Sequence, residues 1–161
     1  MRPVFHIIAA ISGSVPVYIA TKSLDCALIY GSTVVFIDID HLLDYVLWNK
    51  RPINLKGFLK MGNAGNWSRV LFIMHGYEWL LILIVLDLSF QNIFVYAMTA
   101  GYFVHILMDE TGNRLPSCRA RIKPLFYLLS YRAAMGFKID KICYGTNMVS
   151  PQNTSNLNIL N

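Results

Sequence analysis

Polar residues are sparse along this chain, and apolar ones come in four long blocks, at about 4–20, 24–47, 70–88 and 93–108. Each block is too long for a core strand. Leu, Ile, Val, Phe and Met occupy all of its faces, the pattern of a helix buried on every side. The blocks approach the roughly 20 residues that a ~30 Å hydrocarbon core requires. The pattern therefore predicts an all-α integral membrane bundle of about four transmembrane helices. Residues 49–68 carry Pro, Gly and Asn and read as a loop with at most one helical turn. Residues 122–138 alternate apolar side chains with Lys123, Arg132 and Lys138, which predicts a C-terminal interfacial amphipathic helix. From 145 to 161 the chain is rich in Asn and Ser without periodicity and reads as a disordered tail. Residues 1–144 then form a single membrane-embedded domain.

Composition and charge sharpen this reading. The 161 residues are 55% hydrophobic and 14% charged, against roughly 25% charged in soluble domains. If four spans start with the N-terminus inside, all but one of the 14 Lys and Arg fall on the inner side, Lys22 being the exception. That is the positive-inside asymmetry, and it places both termini in the cytoplasm of a multi-pass inner (plasma) membrane protein. The net charge of +5 is thus accounted for by topology and anionic headgroups, and no basic stripe suggests nucleic acid. The first block holds His6 and Pro16 and no small-x-small site before Lys22, so it reads as a span and not a cleaved leader. Cys26, Cys118 and Cys143 have neither disulfide-framework nor metal-ligand spacing.

The informative residues are those a bilayer penalises. His6 lies in block one, Asp38, Asp40, His41 and Asp44 in block two, His75 and Glu78 in block three, His105 and Asp109 in block four. Alternating helix directions bring all of them to the same inner level. His105 and Asp109 are i,i+4, as are Asp40 and Asp44. His75 and Glu78 are i,i+3, as are Asp38 and His41, so each pair shares a helix face. Imidazole and carboxylate are ligands for Zn²⁺ or a similar divalent ion. The number of candidates points either to two ions or to one ion with supporting carboxylates. A bound cation also offsets carboxylate charge that the bilayer disfavours. Within block two, Asp40 with His41 or Asp44 is expected to face inward, and Asp38 to be a ligand or its support.

Three runs carry a resemblance: FIDIDHLLDYVLW at 36–48, MHGYEWLLIL at 74–83 and GYFVHILMDE at 101–110. With the N-terminal histidine they resemble the small prokaryotic membrane-bound metal-dependent hydrolases, themselves distantly similar to zinc-dependent phospholipase C. The resemblance spans about 1–138, with Gly76 where many members have serine. It implies a metal-binding set of His6, Asp38, Asp40, His41, His75, His105 and Asp109, with Glu78 as ligand or general base.

The expected function is a metal-dependent hydrolase holding one or two divalent ions of the zinc type. Its substrate would be a phosphoester or lipid-like amphiphile at the cytoplasmic membrane surface. Arg69 and Arg114, near the inner ends of blocks three and four, are candidates to hold a phosphate. Glu78, or whichever of Asp38 and Asp44 is not a ligand, would take a proton from water. Two other classes fit the same residues: a divalent-cation or proton-coupled transporter, and a membrane protein with a structural metal site.

Overall fold

The computed structural model describes residues 3–49, 54, 56–58, 67, 69–114 and 121–144. The tail expected at 145–161 lies outside the described residues. The chain is mostly helical, and two of its segments, Val4–Thr21 and Leu24–Leu47, are long and apolar enough to cross a membrane.

Helix α1 (Pro3–Thr21) turns into α2 (Leu24–Phe36) through two residues, Lys22 in the left-handed region and Ser23. Ser23 caps α2 by accepting the Cys26 amide. Beyond a tightened turn at Ile37 and Asp38 the chain continues as α3 (Ile39–Asn49). A second tight connection, with Gln91 left-handed, joins α4 (Tyr77–Phe90) to α5 (Ile93–Arg114). Helix α2 packs against both α1 and α5, and α4 packs against α5. Gly101 permits that closeness, because a Cβ there would stand 2.7 Å from the Tyr30 carbonyl oxygen of α2.

The side-chain distribution is inverted relative to a water-soluble bundle. Ile8, Ile11, Val15 and Ile19 of α1, Leu24 and Leu28 of α2, Leu81, Val85 and Leu88 of α4, and Phe94 and Phe103 of α5 are all exposed. The buried set includes His6, Asp40, Asp44, His75, His105, Asp109 and Arg132.

Two expected elements take a different form. The third apolar block does not become one helix from residue 70; 70–76 are irregular and α4 starts at Tyr77. The expected amphipathic helix at 122–138 is replaced by a compact cap. A strand β1 (Arg121–Ile122) pairs antiparallel with β2 (Cys143–Tyr144), and between them lie short helices α6 (Leu129–Ala134) and α7 (Ile139–Ile142). Gly136 and Phe137, both at positive φ, end the first of these. The principal apolar core, with Ile106, Ile122, Phe126, Tyr127 and Ile142, joins this cap to the end of the bundle. Within the loop expected at 49–68, residues 56–58 form a helical turn.

Candidate metal centre

The centre begins at the break between α2 and α3. There the Asp40 and His41 amides bond three residues back, to Ile37 at 3.4 Å and Asp38 at 3.1 Å. This 3₁₀-like step separates the roles of neighbouring polar residues. Asp40 and Asp44, one helical turn apart on α3, face the irregular segment 70–76 and hold its amides. Asp44 Oδ2 accepts from Leu71 at 2.9 Å and Phe72 at 3.0 Å, and Asp40 Oδ2 accepts from Met74 at 2.9 Å. The Tyr102 hydroxyl accepts from the Gly76 amide at 3.2 Å and lies 2.7 Å from the Met74 and Gly76 carbonyls. Arg132 Nη2 donates to the carbonyls of Phe72 at 3.0 Å and His75 at 3.1 Å. A buried non-helical segment needs such partners for its backbone. Phe72, at φ 42, is held left-handed within it.

That segment delivers His75 to the histidines of three helices. His75 Nδ1 is 3.0 Å from Asp40 Oδ2, and His41 Nδ1 is 2.9 Å from Asp40 Oδ1. His105 Nδ1 is 2.7 Å from the Val34 carbonyl. A carbonyl or carboxylate oxygen only accepts, so all three rings donate from Nδ1, which in the neutral imidazole leaves the Nε2 lone pair turned inward. The His75 and His105 Nε2 atoms then face each other at 3.0 Å. Two lone pairs that close repel unless a cation or a shared proton stands between them.

Carboxylates complete the cluster. His75 Nε2 lies 3.3 Å from both Asp38 Oδ1 and Asp109 Oδ2, and His105 Nε2 lies 3.6 and 3.7 Å from the same two atoms. Neighbouring ligands about 2.0–2.1 Å from a tetrahedral ion stand about 3.3 Å apart, so spacings in this cluster are of the size that divalent-ion ligation requires. His6 Nε2 flanks the group, 3.1 Å from Asp109 Oδ1 and 3.8 Å from Asp38 Oδ2, with its ring stacked on His105. On the other flank His41 Nε2 is 3.5 Å from Asp38 Oδ1, its ring between Phe72 and His75. The ligand atoms of His6, Asp38, His105 and Asp109 lie within 4.8 Å of one another, as do those of Asp38, His41 and His75.

The structure thus brings together six of the seven expected ligands. Asp40 stands behind them: both of its oxygens are taken by imidazole Nδ1 atoms and the Met74 amide, so it orients ligands. Glu78 is placed elsewhere. Its carboxylate accepts from the Leu129 and Ser130 amides and the Ser130 hydroxyl, each at 3.0 Å, and anchors the start of α6. Expected as a ligand or general base, it lies outside both groups of candidate ligands and is engaged at the start of α6. Arg69 is exposed, on a backbone bridge to Lys138. Arg114 ends α5, and its side chain lies outside the described residues.

Sequence reading missed Arg132, taken there as the polar face of a surface helix. It is fully buried, with its guanidinium over the Phe126 ring, and Nε and Nη1 have no hydrogen-bond partner among the described residues. Burial lowers its pKa from the ordinary arginine value, opposed by the Asp40, Glu78 and Asp44 carboxylates. The only sequence signal was one cation within an otherwise apolar run. Comparisons of the chain with protein-family models, curated proteins and solved structures find no match.

Proposed function

We propose that this protein is an integral membrane metal-dependent hydrolase acting on a phosphoester or similar amphiphile at the cytoplasmic membrane surface. The observation that carries the reading is the convergence of His75 Nε2 and His105 Nε2 at 3.0 Å, with both Nδ1 atoms committed to acceptors and two carboxylates alongside. A divalent cation resolves that arrangement, and the N/O donor set suits zinc. When bound, such an ion supplies a Lewis acid that polarises an ester oxygen and acidifies water. The chain's own residues do the rest. Asp40 fixes two imidazoles, Val34 a third, and the carbonyl and amide clamps on 70–76 keep His75 from moving away. Asp38 and His41 are 21% and 24% exposed while the other ligands are buried. A reacting group therefore reaches the centre from their side.

The membrane assignment is supported by the apolar exterior, by α1 and the α2–α3 segment, and by the placement of basic residues. Four crossings, both termini inside, and the resemblance of the three motif runs to membrane-bound hydrolases belong to the same proposal. The test is elemental analysis of detergent-purified protein, followed by phospholipid hydrolysis with and without chelator and in Asp109→Ala. Bound zinc-type metal with chelator-sensitive cleavage lost in Asp109→Ala is expected. Metal-free protein, or cleavage that persists in chelator, would overturn the proposal.

A further inference from the structure

We infer that the centre has two cation positions sharing the Asp38 carboxylate, one closed and one open, and that only the open one exchanges freely. This rests on the metal-dependent reading above and concerns how the donors divide. His6, His105 and Asp109, from α1 and α5, form one group with Asp38, and His41 and His75 form the other with the same residue. The two oxygens of Asp38 are turned to different sides. Oδ2 faces His6, while Oδ1 faces His41, His75 and His105. With donors of both groups around its two oxygens, the carboxylate is placed to be shared between them.

The two groups differ in donor number and in burial. The first offers four protein atoms, and its own three residues are 0–1% exposed. Four protein ligands in a buried setting leave nothing for water or substrate, as in structural sites. The second offers three protein atoms, and His41 is 24% exposed. Three ligands with one place open is the arrangement of catalytic sites. Asp40 joins the halves of the second group by bonding both Nδ1 atoms, so that group keeps its shape when empty. The closed position is therefore a fixture of the folded bundle, and the open one fills and empties with free metal.

Metal counting on the detergent-solubilised full-length chain tests this. Protein stripped and reloaded with Zn²⁺ should hold two equivalents after desalting, and one after desalting through a weak chelator such as citrate. His41→Ala should hold one equivalent under both conditions. Should that variant fold poorly by circular dichroism, His41→Gln, which keeps bulk but not the imidazole, gives the same comparison. A sample loaded with Mn²⁺ adds a readout of the bridge. The electron paramagnetic resonance signal should rise with the first equivalent and fall short of proportionality with the second, through spin coupling. A wild-type chain that saturates at one equivalent overturns this inference and leaves the metal-dependent reading standing. So do two equivalents that the weak chelator removes together, or no loss in either His41 variant. A chain that binds no metal overturns both.

Discussion

Asp40 is the residue that most separates this centre from a mere crowd of polar groups, because it holds two imidazoles by their outer nitrogens. Asn at this position must present an amide N–H to one of them, so one ring loses its orientation. We expect Asp40→Asn to weaken zinc binding by about 10–100-fold, measured by competition with a chromogenic chelator, with the ligand set intact. Protons compete with metal for Nε2. Zinc occupancy should fall on acidification, because the ligands must be deprotonated to hold the ion; occupancy unchanged by acid would argue against imidazole ligation. Arg132→Met should destabilise the chain by roughly 2–3 kcal/mol through loss of charged hydrogen bonds, read as a lower midpoint of thermal unfolding in detergent. The same substitution should loosen zinc, since the His75 carbonyl loses its donor. The histidines and Asp109 were legible in the sequence because apolar helices rarely carry such groups. The division of labour between Asp38 and Asp40 was not, because a 3₁₀ step two residues long decides it. Nor were the roles of Glu78 and Arg132, each set by partners more than fifty positions away.

At the scale of elements, periodicity located α1, α2 and α5 but misread the two segments that frame His75. Residues 70–74 are as apolar as a helix start, and hydropathy cannot register that Asp44, Asp40, Tyr102 and Arg132 satisfy their backbone from outside. Residues 122–138 have a helix-like alternation, yet the pairing of β1 with β2 and the left-handed Gly136–Phe137 corner fold them into a cap. Helix packing depends on small residues at the contact. Gly101→Val would drive a side chain into the Tyr30 carbonyl of α2. Because His105 lies one turn further along α5 and bonds Val34 of α2, that variant should lose both thermal stability and zinc. Thr99→Val, exposed differently on the same helix, should lose neither; equal behaviour of the two would show that the close approach is unimportant.

For the molecule as a whole, the apolar exterior predicts that the chain sediments with membranes, resists alkaline carbonate and is released by detergent. Release by carbonate would contradict a bundle immersed in lipid. That overall character was readable from composition alone, whereas the cap over the end of the bundle was not, being built from contacts between distant short segments. The shortness of α4 has a consequence for such immersion. Fourteen residues extend about 21 Å, well under a hydrocarbon thickness of about 30 Å, because the chain gives up its helical start to place His75. If α4 is one of the four crossings proposed above, a bilayer would meet such a mismatch by thinning beside the short rod. The dimple would form where α4 begins, lowering headgroups towards the imidazoles, so that a lipid could offer its ester linkage without being lifted from its leaflet.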